Sequence, residues 1–344
     1  MSLSREQHIT EVFKKLGVEG VGFARLERPI SLDYYVQWLD RGMSGSMNYL
    51  RDHLELKSDP EKVLGSAGVA IVLTRNYVSH PWPQNMGSLP IAAYAKGRDY
   101  HVEIHQLLHK GIGEIQELDS SARFVPFVDS GPVMERDLAY RAGLGWVGKN
   151  TCLIHEKRGS LFFISSIYTN LNLSVEATQH EDRCGTCTRC IDACPTQAIV
   201  DPRVLDARRC ISYWTIEAKT NAPATLRSKM DWFFGCDICQ TVCPWNQKVL
   251  RTETPKESAR EELLREVEAL LKSTHSQIEK RFKGTPLLRA RPWAHKRNAI
   301  VLAANKGLIE ALPWIRECSL QPRLQEVALW AIDQLEAPTP IKNP

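Results

Sequence analysis

The spacing of the cysteines constrains this chain more than any other feature. Eight of its ten cysteines lie between Cys184 and Cys243, and none precedes Cys152. Cys184-x2-Cys187-x2-Cys190-x3-Cys194-Pro195 is the run of a bacterial two-cluster ferredoxin. There, three closely spaced thiolates wrap one cubane and the fourth cysteine turns to a second. The other half is Cys236-x2-Cys239-x3-Cys243-Pro244, with Cys210 upstream in place of an adjacent first cysteine. Crossing the ligands assigns Cys184, Cys187, Cys190 and Cys243 to one [4Fe–4S] cluster. Cys194, Cys210, Cys236 and Cys239 then hold the second, and all eight are used. Paired zinc sites lack the three-cysteine run followed by Cys-Pro. A secreted disulfide scaffold would be shorter and would spread its cysteines. Metal in a reducing cytosol is the better reading, and Cys152 and Cys318 are expected to be small core residues.

A chain of 344 residues allows two or three domains. Hydrophobic residues at 43% and charged residues at 24% are globular proportions, which sets disorder aside. No apolar run approaches the ~18 residues of a membrane span. The start is a charged amphipathic helix ending at Gly17, not a signal peptide.

Residues 1–175 alternate helix and strand and form an α/β domain. Strands are expected at 21–24, 69–73, 123–128 and 161–164, helices at 31–40, 101–118 and 132–142. The run Val69-Ala70-Ile71-Val72-Leu73 is continuously apolar, as in a sheet covered on both faces. Residues 176–250 form a ferredoxin-like domain held together by what its cysteines bind. It carries an insertion, 211–235, that a plain electron carrier does not need. Residues 251–344 form the third domain, opening on a charged helical stretch at 252–275. The apolar segments 298–304 and 326–332, separated by a helix at 308–318, suggest α-helical repeats of the HEAT type.

Several polar positions carry alternatives. Asp129 closes an apolar strand before a turn and a helix; it is either a proton donor with a raised pKa or a cap of that helix. The glycines of 142–150 suit close backbone approach to a flat cofactor, or a plain loop. His101 and His105, one helical turn apart, suit a metal pair less well than a surface helix. From Arg281 to Ile309 there are seven Lys/Arg and no Asp or Glu. Arg289, Arg291, Lys296 and Arg297 gather there around Trp293 and His295, the footprint of a nucleic-acid surface, and a folded RNA suits it better than duplex DNA. No GxGxxG, P-loop or nucleophile elbow is present.

The segments VDSGPVMER (128–136), AGLGWVGKN (142–150), CGTCTRCIDACPTQAI (184–199), RRCISYWTIE (208–217) and GCDICQTVCPWN (235–246) together resemble the epoxyqueuosine reductases. The resemblance implies reduction of epoxyqueuosine to queuosine at the wobble position of tRNA, with base-off cobalamin and two [4Fe–4S] clusters as cofactors. It implies Asp129 as proton donor and Lys57 as a corrinoid contact. Ala92, Leu153 and Ile164 would line the corrin, and Ser212 and Thr215 would complete its wall. Arg289, Arg291, Lys296, Arg297 and Asn298 fall where helical repeats would meet the anticodon stem-loop. It further implies a cytoplasmic monomer, free of membrane, fed by an external low-potential electron donor. One departure stands out: Ser165-Ser166 replaces the Gly-Glu or Ala-Glu that members often carry. Two rival readings are a corrinoid iron–sulfur reductive dehalogenase and a ferredoxin-type electron-transfer protein. The basic segment and the missing twin-arginine signal speak against the first, the large first domain against the second.

Overall fold

The apolar run at 69–73 organises the N-terminal half. In the computed structural model, which describes residues 3–77, 88–176, 180–250 and 260–337, it forms the centre of strand β2 (Val69–Asn76). The other strands are β1 (Gly20–Arg25), β3 (Phe124–Val128), β4 (Trp146–Val147), β5 (Leu153–Ile154), β6 (Phe162–Thr169), β7 (Ile199–Asp201) and β8 (Val204–Leu205). The main sheet runs β1-β2-β6-β3, and each of its pairings is antiparallel.

Side chains alternate across a strand, so one apolar run feeds two cores. Val69, Ile71 and Leu73 pack with Ile9, Val12 and Phe13 of the helix Arg5–Lys15, and with Ile104 and Leu108 of the helix Tyr100–Ile115. Ala70 and Val72 face the other way, toward Leu138 and Ala139 of the helix Glu135–Arg141. Burial on both faces is what the unbroken run predicts. The antiparallel pairing is not, so the rule placing ligands at the ends of parallel strands does not by itself locate a site here. The expected helices lie at Leu32–Asp40, Tyr100–Ile115 and Glu135–Arg141. A Ser4–Gln7 capping box starts the first helix, and Gly17 takes the left-handed conformation (φ 83°) just beyond its end.

The cysteine region contains only short pieces, among them the helices Arg189–Asp192 and Ile238–Thr241 and the β7–β8 hairpin. The insertion is neither a bare loop nor an appendage. Its Ile211, Tyr213, Trp214, Met230, Phe233 and Phe234 share one core with the C-terminal helices. Those helices are Arg260–Lys272, His275–Arg281, Pro292–Asn305, Leu312–Cys318 and Pro322–Glu336. Of the charged stretch, 252–259 lies outside the described residues. The two apolar segments sit on Pro292–Asn305 and Pro322–Glu336, which pack on each other. No described helix is long and apolar enough to cross a membrane.

Candidate active site

Strand β3 ends at Val128, and the next residue, Asp129, adopts a left-handed backbone (φ 55°). Such a conformation in a non-glycine residue costs free energy and needs support. Support comes from Glu135, whose Oε1 accepts the Asp129 N–H at 2.7 Å. Asp129 does not cap the following helix: the N-cap is Met134, with no side-chain bond. Its carboxylate is free for other work. Oδ2 accepts from the Tyr100 hydroxyl at 2.6 Å and lies 3.3 Å from His101 Nε2.

The electrostatics invert the expectation for Asp129. Burial alone would raise its pKa, but the hydrogen bonds from His101 and Tyr100 outweigh it and hold the carboxyl below its usual range. The raised carboxyl is Glu135, pushed up to about 8 by burial and by the charge of Asp129. Sequence reasoning passed over Glu135 because nothing in its spacing announces a partner at Asp129.

His101 belongs to this site and not to a solvated helix face. Its Nδ1 is 2.8 Å from Asp99 Oδ1, and Asp99 is also the N-cap of the helix, accepting the His101 N–H at 3.0 Å. Tyr100 stacks on His101 with centroids 4.1 Å apart and on Phe163 of β6 at 4.3 Å. The Asp99 N–H donates to Gly284 O at 2.8 Å, tying this turn to the C-terminal half. His105 instead stacks on His109.

The residues expected around a corrinoid are brought together only in part. Lys57 is buried, donates to the Tyr35 hydroxyl and Leu50 O, and has its pKa lowered by that burial. Glu135 is its electrostatic neighbour. Leu153 and Ile164 pack in one apolar cluster. The Ala92 N–H donates to Phe234 O of the insertion at 2.9 Å, and Ser212 is half-buried on the helix Ile211–Ile216. Thr215 corrects the expectation of a wall residue. It is wholly buried, and its hydroxyl is spent on Ile211 O and on accepting the Gly235 N–H. The glycines of 142–150 also answer to internal packing. A Cβ on Gly145 would meet Ile154 O at 2.2 Å, and one on Gly148 would meet the Ile154 side chain at 2.4 Å.

The cysteines fall into two groups. The thiols of Cys184, Cys187 and Cys243 act electrostatically on Cys190, while those of Cys194 and Cys210 act on Cys236, and Cys236 and Cys210 on Cys239. These are the two crossed sets, and no cysteine is in a disulfide. Cys194 Sγ accepts the Ala198 N–H at 3.2 Å, a bond that favours a thiolate. Among the described residues no three His, Cys, Asp or Glu side chains converge on a point for one ion; a cubane holds its thiolates apart at its corners. Cys318 is a core residue, as expected. Cys152 is more than that, since its thiol interacts with Cys190 and Cys243 of one group and Cys239 of the other. Asp237, between two ligands, accepts the Ala93 N–H at 2.6 Å and joins the cluster loop to the first domain.

The basic segment divides. Arg289 and Arg291 are exposed. Arg289 grips Glu217 with two bonds of 2.8 and 3.0 Å, lies over the Tyr49 ring, and its charge reaches Asp129. Lys296, Arg297 and Asn298 correct the expectation of an RNA contact: all three are buried. Lys296 donates to Leu271 O. Arg297 donates to Trp214 O, Ala218 O and Thr220 O, and Asn298 to Thr215 O and Phe233 O. Arg297 and Asn298 fasten the insertion to the helix Pro292–Asn305, while Lys296 fastens the helix Arg260–Lys272 to it. Arg297 and Asn298 are drawn inside because the insertion presents carbonyls there that need donors.

Comparison with known proteins gives a consistent result. Residues 57–130 match the family described as epoxyqueuosine reductase QueG, DUF1730, and residues 183–246 match the 4Fe-4S double cluster binding domain. An epoxyqueuosine reductase of Cyclobacterium marinum is 39% identical over 247 residues, covering 70% of this chain and 79% of that one. An epoxyqueuosine reductase crystallised with an epoxyqueuosine-modified tRNA-Tyr stem loop superposes with a TM-score of 0.82 at 28% identity, covering 95% of this chain and 89% of that one. The Bacillus subtilis enzyme, in a structure whose catalytic aspartate loop is swung out of the active site, gives 0.81 at 27%, with coverage of 95% and 89%.

Proposed function

Because the chain belongs to the epoxyqueuosine reductases, we propose that it reduces epoxyqueuosine to queuosine at the wobble position of tRNA, with Asp129 as proton donor. The observation that carries this reading is that Asp129 is held by Tyr100 and His101 within electrostatic reach of the exposed Arg289 of the basic segment. One face therefore offers both an acid and a cation for the RNA that bears the epoxide.

The domains divide the work as 1–175 for cofactor and acid, 176–250 for the clusters, and 251–344 for RNA, with the last built as HEAT-like repeats. The crossed cysteine sets, Cys184, Cys187, Cys190 and Cys243 and Cys194, Cys210, Cys236 and Cys239, would hold two [4Fe–4S] clusters, which would supply one-electron relay from an external low-potential donor. The first domain suits base-off cobalamin in part: Leu153 and Ile164 offer an apolar wall, Ala92 and Ser212 a rim, and Lys57 a buried cation behind it. Thr215 takes no part, its hydroxyl being spent. When bound, the corrinoid supplies the low-potential metal centre that delivers electrons to the epoxide carbon. The chain's own residues do the rest. Asp129 Oδ2 moves a proton to the epoxide oxygen as the ring opens, Tyr100 steadies that oxygen atom, and Arg289 and Arg291 hold the anticodon stem-loop. We read the enzyme as cytoplasmic, where its tRNA substrate is made, and as a monomer.

The test uses tRNA carrying epoxyqueuosine, incubated with enzyme, cobalamin and a low-potential reductant, followed by chromatographic analysis of its nucleosides. Queuosine is expected from the wild type. Asp129→Asn should form none while keeping cluster absorbance and the cobalamin spectrum. Wild-type turnover in that variant removes the proton-donor role.

A further inference from the structure

Taking the epoxide to the alkene breaks two carbon–oxygen bonds, forms one carbon–carbon double bond and releases water. The balance is two electrons, from the external low-potential donor, and two protons, both ending on the departing oxygen. Asp129 carries one proton at a time, and its hydrogen bonds favour the ionised form. It must be recharged within each turnover.

We propose that His101 is the proton store that recharges Asp129, with Asp99 as the group that keeps His101 charged. This rests on the reading above and extends it. Both ring nitrogens of His101 face carboxylate oxygens, Nδ1 at 2.8 Å from Asp99 and Nε2 at 3.3 Å from Asp129. A neutral imidazole has one donor and one acceptor, and would set a lone pair against one of those carboxylates. Only the imidazolium satisfies both. The groups facing the ring are Asp99 from the preceding turn, Tyr100 and His105 on its own helix, and Asp129 and Glu135 beyond β3. The hydrogen bond to Asp129, with the bond to Asp99 and the charges of both carboxylates, outweighs a substantial opposing effect of burial, so the ring's pKa is raised.

The store is rigid. Asp99 caps the helix that carries His101, and its own N–H is tied to Gly284 O. The ring stacks on Tyr100. The transfer is short and balanced: the His101 Nε2 proton passes to Asp129 Oδ2, Asp129 passes one to the oxygen, and solvent reprotonates His101. His101 acts through Asp129 and does not touch the epoxide.

The experiment is single-turnover conversion of an epoxyqueuosine stem-loop by pre-reduced holoenzyme across pH 6 to 9.5. The wild type should lose rate along an alkaline limb set by His101. His101→Gln keeps a donor toward Asp129 but stores no proton. Its rate should fall about 100-fold near neutrality, and its limb should move to the acid side, where Asp129 must protonate unaided. Asp99→Asn should move the limb part of the way. A second readout needs no turnover: diethyl pyrocarbonate modifies only neutral imidazole, and peptide mass analysis should place the His101 midpoint lower in Asp99→Asn than in the wild type. An unmoved limb in His101→Gln, or equal midpoints in the two proteins, overturns the proposal. If the wild type makes no queuosine at all, it is the functional reading that fails instead.

Discussion

Asp129 and Glu135 show how two carboxyls six residues apart acquire opposite character. Asp129 gathers donors and has its pKa lowered; Glu135, half-buried beside that charge, has its pKa raised. Glu135 has its folded pKa raised, to about 8, from an ordinary value of 4.5. The native state then binds more protons than the unfolded chain between these values, so its contribution to stability is full below the lower one and is lost as pH rises through the upper. Glu135→Gln should flatten the fall of thermal midpoint between pH 6 and 9, measured by calorimetry; an unchanged slope counts against a buried neutral Glu135. Arg297 and Arg289 make the complementary pair. Arg297→Ala strands several buried carbonyls and should cost about 3 kcal/mol or more in denaturant unfolding. Arg289→Ala should leave stability nearly unchanged, weaken stem-loop binding, and lower the slope of log affinity against log salt by about 1. Asp129 was legible in the sequence as a candidate because an acid after an apolar strand is conspicuous. Its partners were not, because Tyr100, His101 and Glu135 reach it through three-dimensional approach.

Among the elements, β6 carries the departure that the sequence made visible. Ser165 and Ser166 lie buried in its middle, paired in register with Leu73 and Val72 of β2 and with Val128 and Phe127 of β3. The Ser166 hydroxyl has no partner. An unsatisfied buried hydroxyl is a cost, so Ser166→Ala should raise stability by up to about 1 kcal/mol in chemical denaturation. A loss of stability would mean that the hydroxyl is used. β2 itself was readable from five apolar residues in a row, because burial on both faces leaves that mark. Strand direction leaves none, and the antiparallel order emerged only from register. The glycines of 142–150 were readable as a demand for close approach; for Gly145 and Gly148 the close partner is Ile154 of the same chain.

Charge along the chain and charge on the molecular surface are different quantities here. The seven cations of 281–309 stand without acids in sequence, yet the fold brings acids to them: Glu217 to Arg289, Asp231 to Lys306 and Glu266 to Arg281. Lys296 and Arg297 are withdrawn into the interior. The cluster region was legible for the opposite reason, since ligand spacing is a local property that survives without a fold. The same region has a consequence for iron supply. Cys210 and Cys236, which we assign to one cluster, bracket the 25 residues of the insertion, and Arg297 and Asn298 bind that insertion to the helix that follows Arg289 and Arg291. A filled cluster thus closes a loop whose free ends would cost about 3 to 4 kcal/mol to bring together. Cys210→Ala should therefore weaken stem-loop binding, read by titration of RNA, as well as electron transfer. A chain starved of iron would loosen its hold on the anticodon arm, so that molecules unable to finish the reaction do not occupy the tRNA.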